Sequence, residues 1–234
     1  MNDTPGSGGA SRPRCFNVAR RLEQPASPSL RVALDARSAT ALAALLPLLG
    51  CGEEAAGMAF DGLATCHAGD DRAAPALRAI AEEERLHDML IRHLERGLPE
   101  ARQDAFQIEA ARRFHIGLVR GGTPLHLARI AALDAAVCTM FGRLLRTGGP
   151  IAADPQVASV LRRIHRDEAR HVRVARRLAL ETGSARALRN AAAAARDGLA
   201  DILLLARDAF ADMQVDPVSL DRDIRRLPDG LLVA

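Results

Sequence analysis

Apolar residues recur along this chain at alternating steps of three and four, the spacing of helices that each bury one stripe. Four stripes carry the pattern. They read Leu42, Leu46, Leu49, Glu53, Ala56, Phe60, Leu63; then Leu77, Ile80, Glu84, His87, Ile91, Leu94; then Leu127, Ile130, Asp134, Val137, Phe141, Leu144; then Leu161, Ile164, Glu168, His171, Ala175, Leu178. Each is interrupted by one acid at a position that periodicity assigns to the interior. The second and fourth add a histidine one turn after the acid. In the first and third a phenylalanine follows the acid by seven residues, so the halves, roughly 38–96 and 123–181, read as an internal duplication.

The predicted fold is all-α, and the segments between the stripes supply its punctuation. A first helix is expected from after Ser38 to about Leu63, kinked near Pro47, Gly50 and Gly52. A turn around Gly69–Asp71 leads to a second helix from about Ala73 to Glu95, stopped by Gly97 and Pro99. Between Pro99 and Gly122 the pattern Phe106, Ala110, Phe114, Leu118 predicts a crossover helix. Thr123-Pro124 and Asp154-Pro155 read as N-cap and first-turn pairs, as does Asp216-Pro217. A fifth helix is expected over about Ala185–Asp212, outside the others. Residues 1–30, rich in Gly, Ser, Pro and Arg, read as a flexible or loosely attached segment, and 31–234 as one domain: a core of about 38–181 and C-terminal helices of about 185–228.

The interrupted stripes pose an electrostatic problem. Burying four unpaired carboxylates would cost several kcal/mol each, roughly, even after relaxation. Two divalent cations cancel four negative charges, and two imidazoles complete the coordination. Carboxylate oxygens with neutral imidazole nitrogens suit iron or manganese. Glu54 competes with Glu53, but only Glu53 keeps the spacing to Leu49 and Phe60.

Glu84-Arg-Leu-His87 and Glu168-Ala-Arg-His171, each preceded by an acid-bearing helix, resemble the ferritin-like di-metal carboxylate superfamily, over about residues 38–181. The run Asp167-Glu168-Ala169-Arg170-His171 is similar to the Asp-Glu-x-Arg-His stretch of bacterial diiron monooxygenases. The resemblance implies a ferritin-like four-helix bundle in which Glu84 and Glu168 bridge two iron ions. It gives Glu53 and His87 to one ion and Asp134 and His171 to the other. It further implies that Asp167 orients His87 and Glu83 orients His171 by accepting a hydrogen bond from each imidazole. Asp134 departs from the commoner Glu, drawing its carboxylate back by about 1.5 Å. That is expected to weaken one ion or leave it an open position.

Composition narrows the chemistry. There is no Tyr and no Trp, which excludes a stored tyrosyl radical and electron hopping through either side chain. All the basic residues are arginine, mixed with acids to a net charge of +3, so no nucleic-acid partner is read from them. Cys15, Cys51, Cys66 and Cys138 form no C-x-x-C, which argues against a zinc ribbon or a rubredoxin-type site. They read as reduced, small core or surface residues, with Cys138 one turn beyond Asp134. His67, His93, His115 and His126 lie off the acid-bearing stripes, and His165 sits one turn before Glu168. No signal-like segment and no apolar run long enough for a bilayer stand out, so a cytoplasmic protein without a membrane partner is expected.

The expected function is a diiron oxygenase or oxidase that uses O₂ to oxidise a small organic substrate. No flavin or nicotinamide fingerprint is present, so electrons are expected from a separate donor protein or from the substrate. A peroxide-removing iron or manganese enzyme is the runner-up. A helical iron-handling protein without catalysis is the reading from another class. A homodimer would suit an exposed helical face.

Overall fold

The computed structural model describes residues 15–16, 32–100 and 104–228, and among these every regular element is a helix. In chain order they are α1 (Ala36–Cys66), α2 (Ala73–Arg96), α3 (Ala105–Leu118), α4 (Thr123–Leu144), α5 (Pro150–Ala153), α6 (Pro155–Thr182), α7 (Ala185–Leu204), α8 (Arg207–Asp212) and α9 (Pro217–Arg225). Short acidic or hydroxyl side chains start most of the longer ones by accepting otherwise orphaned N–H groups. Asp35 takes Ser38 N, Asp104 takes Phe106 N and Gln107 N, Ser184 takes Ala187 N, and Asp216 takes Val218 N and Ser219 N. Asp154 is fully interior and accepts three backbone N–H groups, those of Ala33, Gln156 and Val157.

Helix α1 is, as expected, a single element through Pro47: one missing N–H removes a single helical bond while buried Leu45, Leu46, Leu48 and Cys51 hold that turn. Several local expectations are corrected. Thr123 lies inside α4, whose cap is Gly122 at φ 89°. The helix expected over Ala185–Asp212 is two helices, α7 and α8. The Leu205 carbonyl accepts from Gln107 Nε2 at 2.7 Å instead of continuing the helical ladder, and the chain turns to lay α8 against α1. In α3 the buried positions are Ala111 and Leu118, whereas Phe106 is 63% exposed. The helix is rotated so that Phe114 packs towards Gly198 of α7, where an added Cβ would lie 2.7 Å from the ring.

The cysteine reading is also overturned. Cys15 and Cys51 form a disulfide with Cα atoms 5.3 Å apart, and both residues are buried. Cys15 and Phe16 are further held by their N–H groups donating to Glu54 Oε2, each at 3.1 Å. This part of the N-terminal segment is therefore firmly attached to α1; the rest of 1–30 lies outside the described residues. Spacing gave no hint of the bridge, because its halves are 36 residues apart. Helices α1 and α4 are, moreover, long and apolar enough to cross a bilayer by length and composition alone, although most of each apolar window is buried by other helices.

The interior is divided in two. One apolar cluster gathers Leu42, Leu46, Ile91, Leu94, Phe141, Leu144, Leu161 and Ile164; the other gathers Phe60, Leu63, Leu77, Ile80, Leu127, Ile130, Ala175 and Leu178. Helices α1 and α6 run from the first cluster to the second, and α2 and α4 run the opposite way. Helix α2 ends in the first cluster and α4 starts in the second, so the stretch carrying α3 returns the chain along the length of the molecule. Helix α1 packs on α2 and α4 on α6, with further contacts from α2 to α6 and from α1 to α4. Helix α7 covers the outside of α4. Between the clusters lies a belt of buried polar side chains.

Candidate metal centre

Each of the four stripe acids falls where its helix passes from one apolar cluster to the other. Glu53 lies between Cys51 and Phe60, Glu84 and His87 between Ile80 and Ile91, Asp134 between Ile130 and Phe141, and Glu168 and His171 between Ile164 and Ala175. All six are interior: Glu53 is 7% exposed, Glu84 1%, Asp134 4%, Glu168 4%, and both imidazoles 0%. Their donor atoms converge in two overlapping groups, Glu53, Glu84, His87 and Glu168 in one, and Asp134, Glu168 and His171 in the other. Glu54, the competitor of Glu53, is turned to the Cys15–Phe16 backbone.

Each imidazole directs Nδ1 into the belt and Nε2 out of it. Around His87 Nδ1 stand Glu53 Oε2 at 3.2 Å, Glu84 Oε2 at 3.3 Å and Glu168 Oε1 at 3.3 Å. Around His171 Nδ1 stand Glu84 Oε1 at 2.9 Å and Glu168 Oε2 at 3.7 Å. Glu84 and Glu168 thus each offer one oxygen to either histidine, as carboxylates that span two ions do. On the outer side His87 Nε2 lies 3.3 Å from Asp167 Oδ2, and His171 Nε2 lies 2.8 Å from Glu83 Oε2. Each outer acid comes from the helix opposite its histidine. Arg170 reaches both of them, Glu83 at 2.6 Å and Asp167 at 3.3 Å. This arginine was not singled out in the sequence; its only signal was its place inside the Asp167–His171 run.

Hydrogen bonding leaves the cluster incompletely satisfied. A single Nδ1–H cannot serve the three carboxylates around His87, whereas one cation can. Glu84 Oε1, Asp134 Oδ2 and His171 Nδ1 have no hydrogen-bond partner, although Glu84 Oε1 and His171 Nδ1 are only 2.9 Å apart. Two atoms about 2.1 Å from one ion, at right angles, lie roughly 3 Å apart. Asp154 makes the contrast: it is equally buried, yet its oxygens meet three backbone donors. The donor set therefore fits a pair of hard or borderline divalent cations.

The electrostatics follow from the same crowding. Burial raises the Glu53 carboxyl well above its usual range, against the His87 hydrogen bond and with help from the charges of Glu84 and Glu168. Burial and the charges of Glu168 and Glu84 raise Asp134 likewise. For Glu84 burial pulls upward, but the two imidazoles beside it, His171 and then His87, prevail and hold it at about 2. Burial alone would depress both imidazoles; the surrounding carboxylates, Glu168 foremost, override it and raise His87, and lift His171 to about 11.

The surroundings are apolar. Phe60, fully buried, stands edge-on to the His171 ring with centroids 6.0 Å apart, and the two imidazoles stack at 5.8 Å. Phe141 takes the equivalent place in the other half but faces His165 at 6.3 Å, which leaves His165 outside the cluster. Cys138 is close enough for its thiol, pushed up to about 12 by burial, to feel Glu168 and Asp134. No family model, no curated protein and no solved structure matches this chain.

Proposed function

We propose that the chain is a ferritin-like four-helix di-metal protein whose two ions, iron in the first instance, activate O₂ to oxidise a small organic substrate. The observation that carries this reading is the convergence of four buried carboxylates and two imidazoles with Glu84 and Glu168 each facing both histidines. Glu53 and His87 would complete one ion, Asp134 and His171 the other. Bound ferrous ions would supply the electrons and the open coordination that O₂ reduction requires. The chain's own residues supply the rest. Asp167 and Glu83 hold the imidazoles with Nδ1 inward. Arg170 fixes both acids from outside. Phe60, Ile80, Ile130, Phe141 and Ile164 exclude water on either side of the belt.

Metal analysis of freshly purified protein, followed by ferrous reconstitution and exposure to O₂, tests this. Two ions per chain, lost in a His87→Ala, His171→Ala double variant, and O₂ consumption that accelerates with an oxidisable substrate are the expected results. Rapid disproportionation of added peroxide would instead indicate a peroxide-removing enzyme, of manganese as readily as of iron. Oxidation followed by release of ferric iron would indicate iron handling.

A further inference from the structure

The outer face of α6 bears arginines that, Arg170 apart, the candidate centre does not use. At about 100° per residue, Arg162, Arg163, Arg166, Arg170, Arg173 and Arg177 all fall within an arc of roughly 100°, opposite the direction of Glu168 and His171. All six are exposed, and the stripe extends for about 22 Å along the helix. Among the described residues Arg162, Arg163, Arg166 and Arg173 have no acid at ion-pair distance; the Asp70 carboxyl is lowered chiefly by the Ala73 and Arg72 N–H groups, with Arg177 near enough to add a small share, and Glu181 is the one acid on the arc. Like charges gathered in this way repel one another and do nothing for the helix that carries them.

Three observations connect the stripe to the metal centre. The ligands Glu168 and His171 lie on the same two turns as Arg166, Arg170 and Arg173, only a helix width of about 10 Å beneath them. Arg170 belongs to the stripe and is joined through Glu83 to His171 by contacts of 2.6 Å and 2.8 Å, so hydrogen bonds run from the surface to a ligand. The chain has no Tyr and no Trp to relay an electron from a more distant face. An external donor must therefore approach the centre closely, and this basic surface lies within one helix width of two of its candidate ligands.

We infer that the arginine stripe of α6 is the docking face for an electron-carrier protein with an acidic surface. The inference rests on the proposed redox role of the centre. Each docking passes one electron: the carrier is oxidised by one, one trivalent ion is reduced to the divalent state, and two dockings restore the pair. Opposite charge speeds encounter and makes it salt-dependent, as expected for a partner that must leave after each transfer.

A reduced plant-type ferredoxin, an acidic one-electron carrier, is the probe, used with the full chain in both metal-free and metal-loaded forms. Binding measured by polarisation should weaken about tenfold or more between about 50 and 300 mM salt. An Arg166→Glu, Arg173→Glu variant should lose at least about tenfold in affinity at low salt, with unchanged melting temperature and metal content. A basic cytochrome c should not bind. The inference is overturned if the variant binds ferredoxin as the parent does. It is also overturned if duplex DNA or phosphatidylglycerol vesicles bind through these arginines more tightly than ferredoxin. Metal content, measured on the same samples, separates this outcome from failure of the di-metal reading.

Discussion

Loading the metal-free chain with two divalent cations should expel protons, and the number follows from the geometry. Without metal, His87 and His171 are held protonated by the carboxylates around them, His171 up to about 11, while burial raises Glu53 and Asp134 well above the usual carboxyl range. A cation needs all four groups deprotonated on the side facing it. Between two protons, from the imidazoles alone, and four should therefore leave per chain at neutral pH. Each is worth about 1.4 kcal/mol of binding free energy per pH unit, so one unit of acidification should weaken the summed binding of both ions by roughly 3–5 kcal/mol. The sign is fixed: protons are released on loading, so affinity rises with pH until the raised groups titrate on their own. Calorimetric titration with ferrous or manganous ion in buffers of different ionisation enthalpy counts the protons directly. Where more than two leave, Asp134→Asn should release up to one fewer. Fewer than two protons, or an affinity indifferent to pH between 6 and 8, would refute the assignment of both imidazoles as ligands.

Three other outcomes follow from the same structure. Glu53→Ala should lower metal stoichiometry, whereas Glu54→Ala should leave two ions bound and instead loosen the Cys15–Phe16 attachment, seen as faster thiol release from the disulfide under mild reductant. Replacing both Cys15 and Cys51 with serine should lower unfolding free energy in denaturant by up to about 4 kcal/mol, from the loop closed over a separation of 36 residues, with metal content unchanged. His126 is buried and its imidazole is depressed to about 4 from 6.5 by burial, with the Arg129 charge adding to it. Stability should thus be level above pH 6.5 and fall as pH drops towards 4, by at most about 3 kcal/mol from this group, and His126→Leu should remove that share of the slope in denaturant titrations.

What the sequence made legible was whatever depends on period. The stripe with Glu53 between Leu49 and Phe60 put that acid inside and left Glu54 off the seam, and the same arithmetic placed Glu84, His87, Asp134, Glu168 and His171. Caps at Asp154 and Asp216 were legible because a short acid before Pro leaves the chain little choice. What escaped was set by contacts distant in sequence. The Cys15–Cys51 bridge depends on where a loop returns, and the division of α7 from α8 on Gln107 reaching the Leu205 carbonyl. The rotation of α3 depends on Phe114 meeting Gly198, since period alone made Phe106 as eligible for burial. Arg170 was visible as a letter of a motif, but its grip on both Glu83 and Asp167 needs the two helices side by side.

The halves of the molecule are related in a way that bears on the chemistry. Helix α1 runs from the first apolar cluster to the second and α4 runs the opposite way; α2 runs from the second to the first and α6 the opposite way, so α1–α2 matches α4–α6 by a half-turn that exchanges the clusters. The same half-turn exchanges Glu84 with Glu168, His87 with His171, and the His87–Asp167 contact with the His171–Glu83 contact. It would also exchange Glu53 with Asp134, and there the match fails. Glu53 Oε2 reaches His87, the imidazole of its own helix pair, at 3.2 Å, while the Asp134 carboxylate, one methylene shorter, keeps an oxygen with no hydrogen-bond partner. A duplicated four-helix scaffold would by itself give two equivalent ions. One shortened acid would make them unequal, and an ion on the Asp134 side would then be the one with room to take a further ligand.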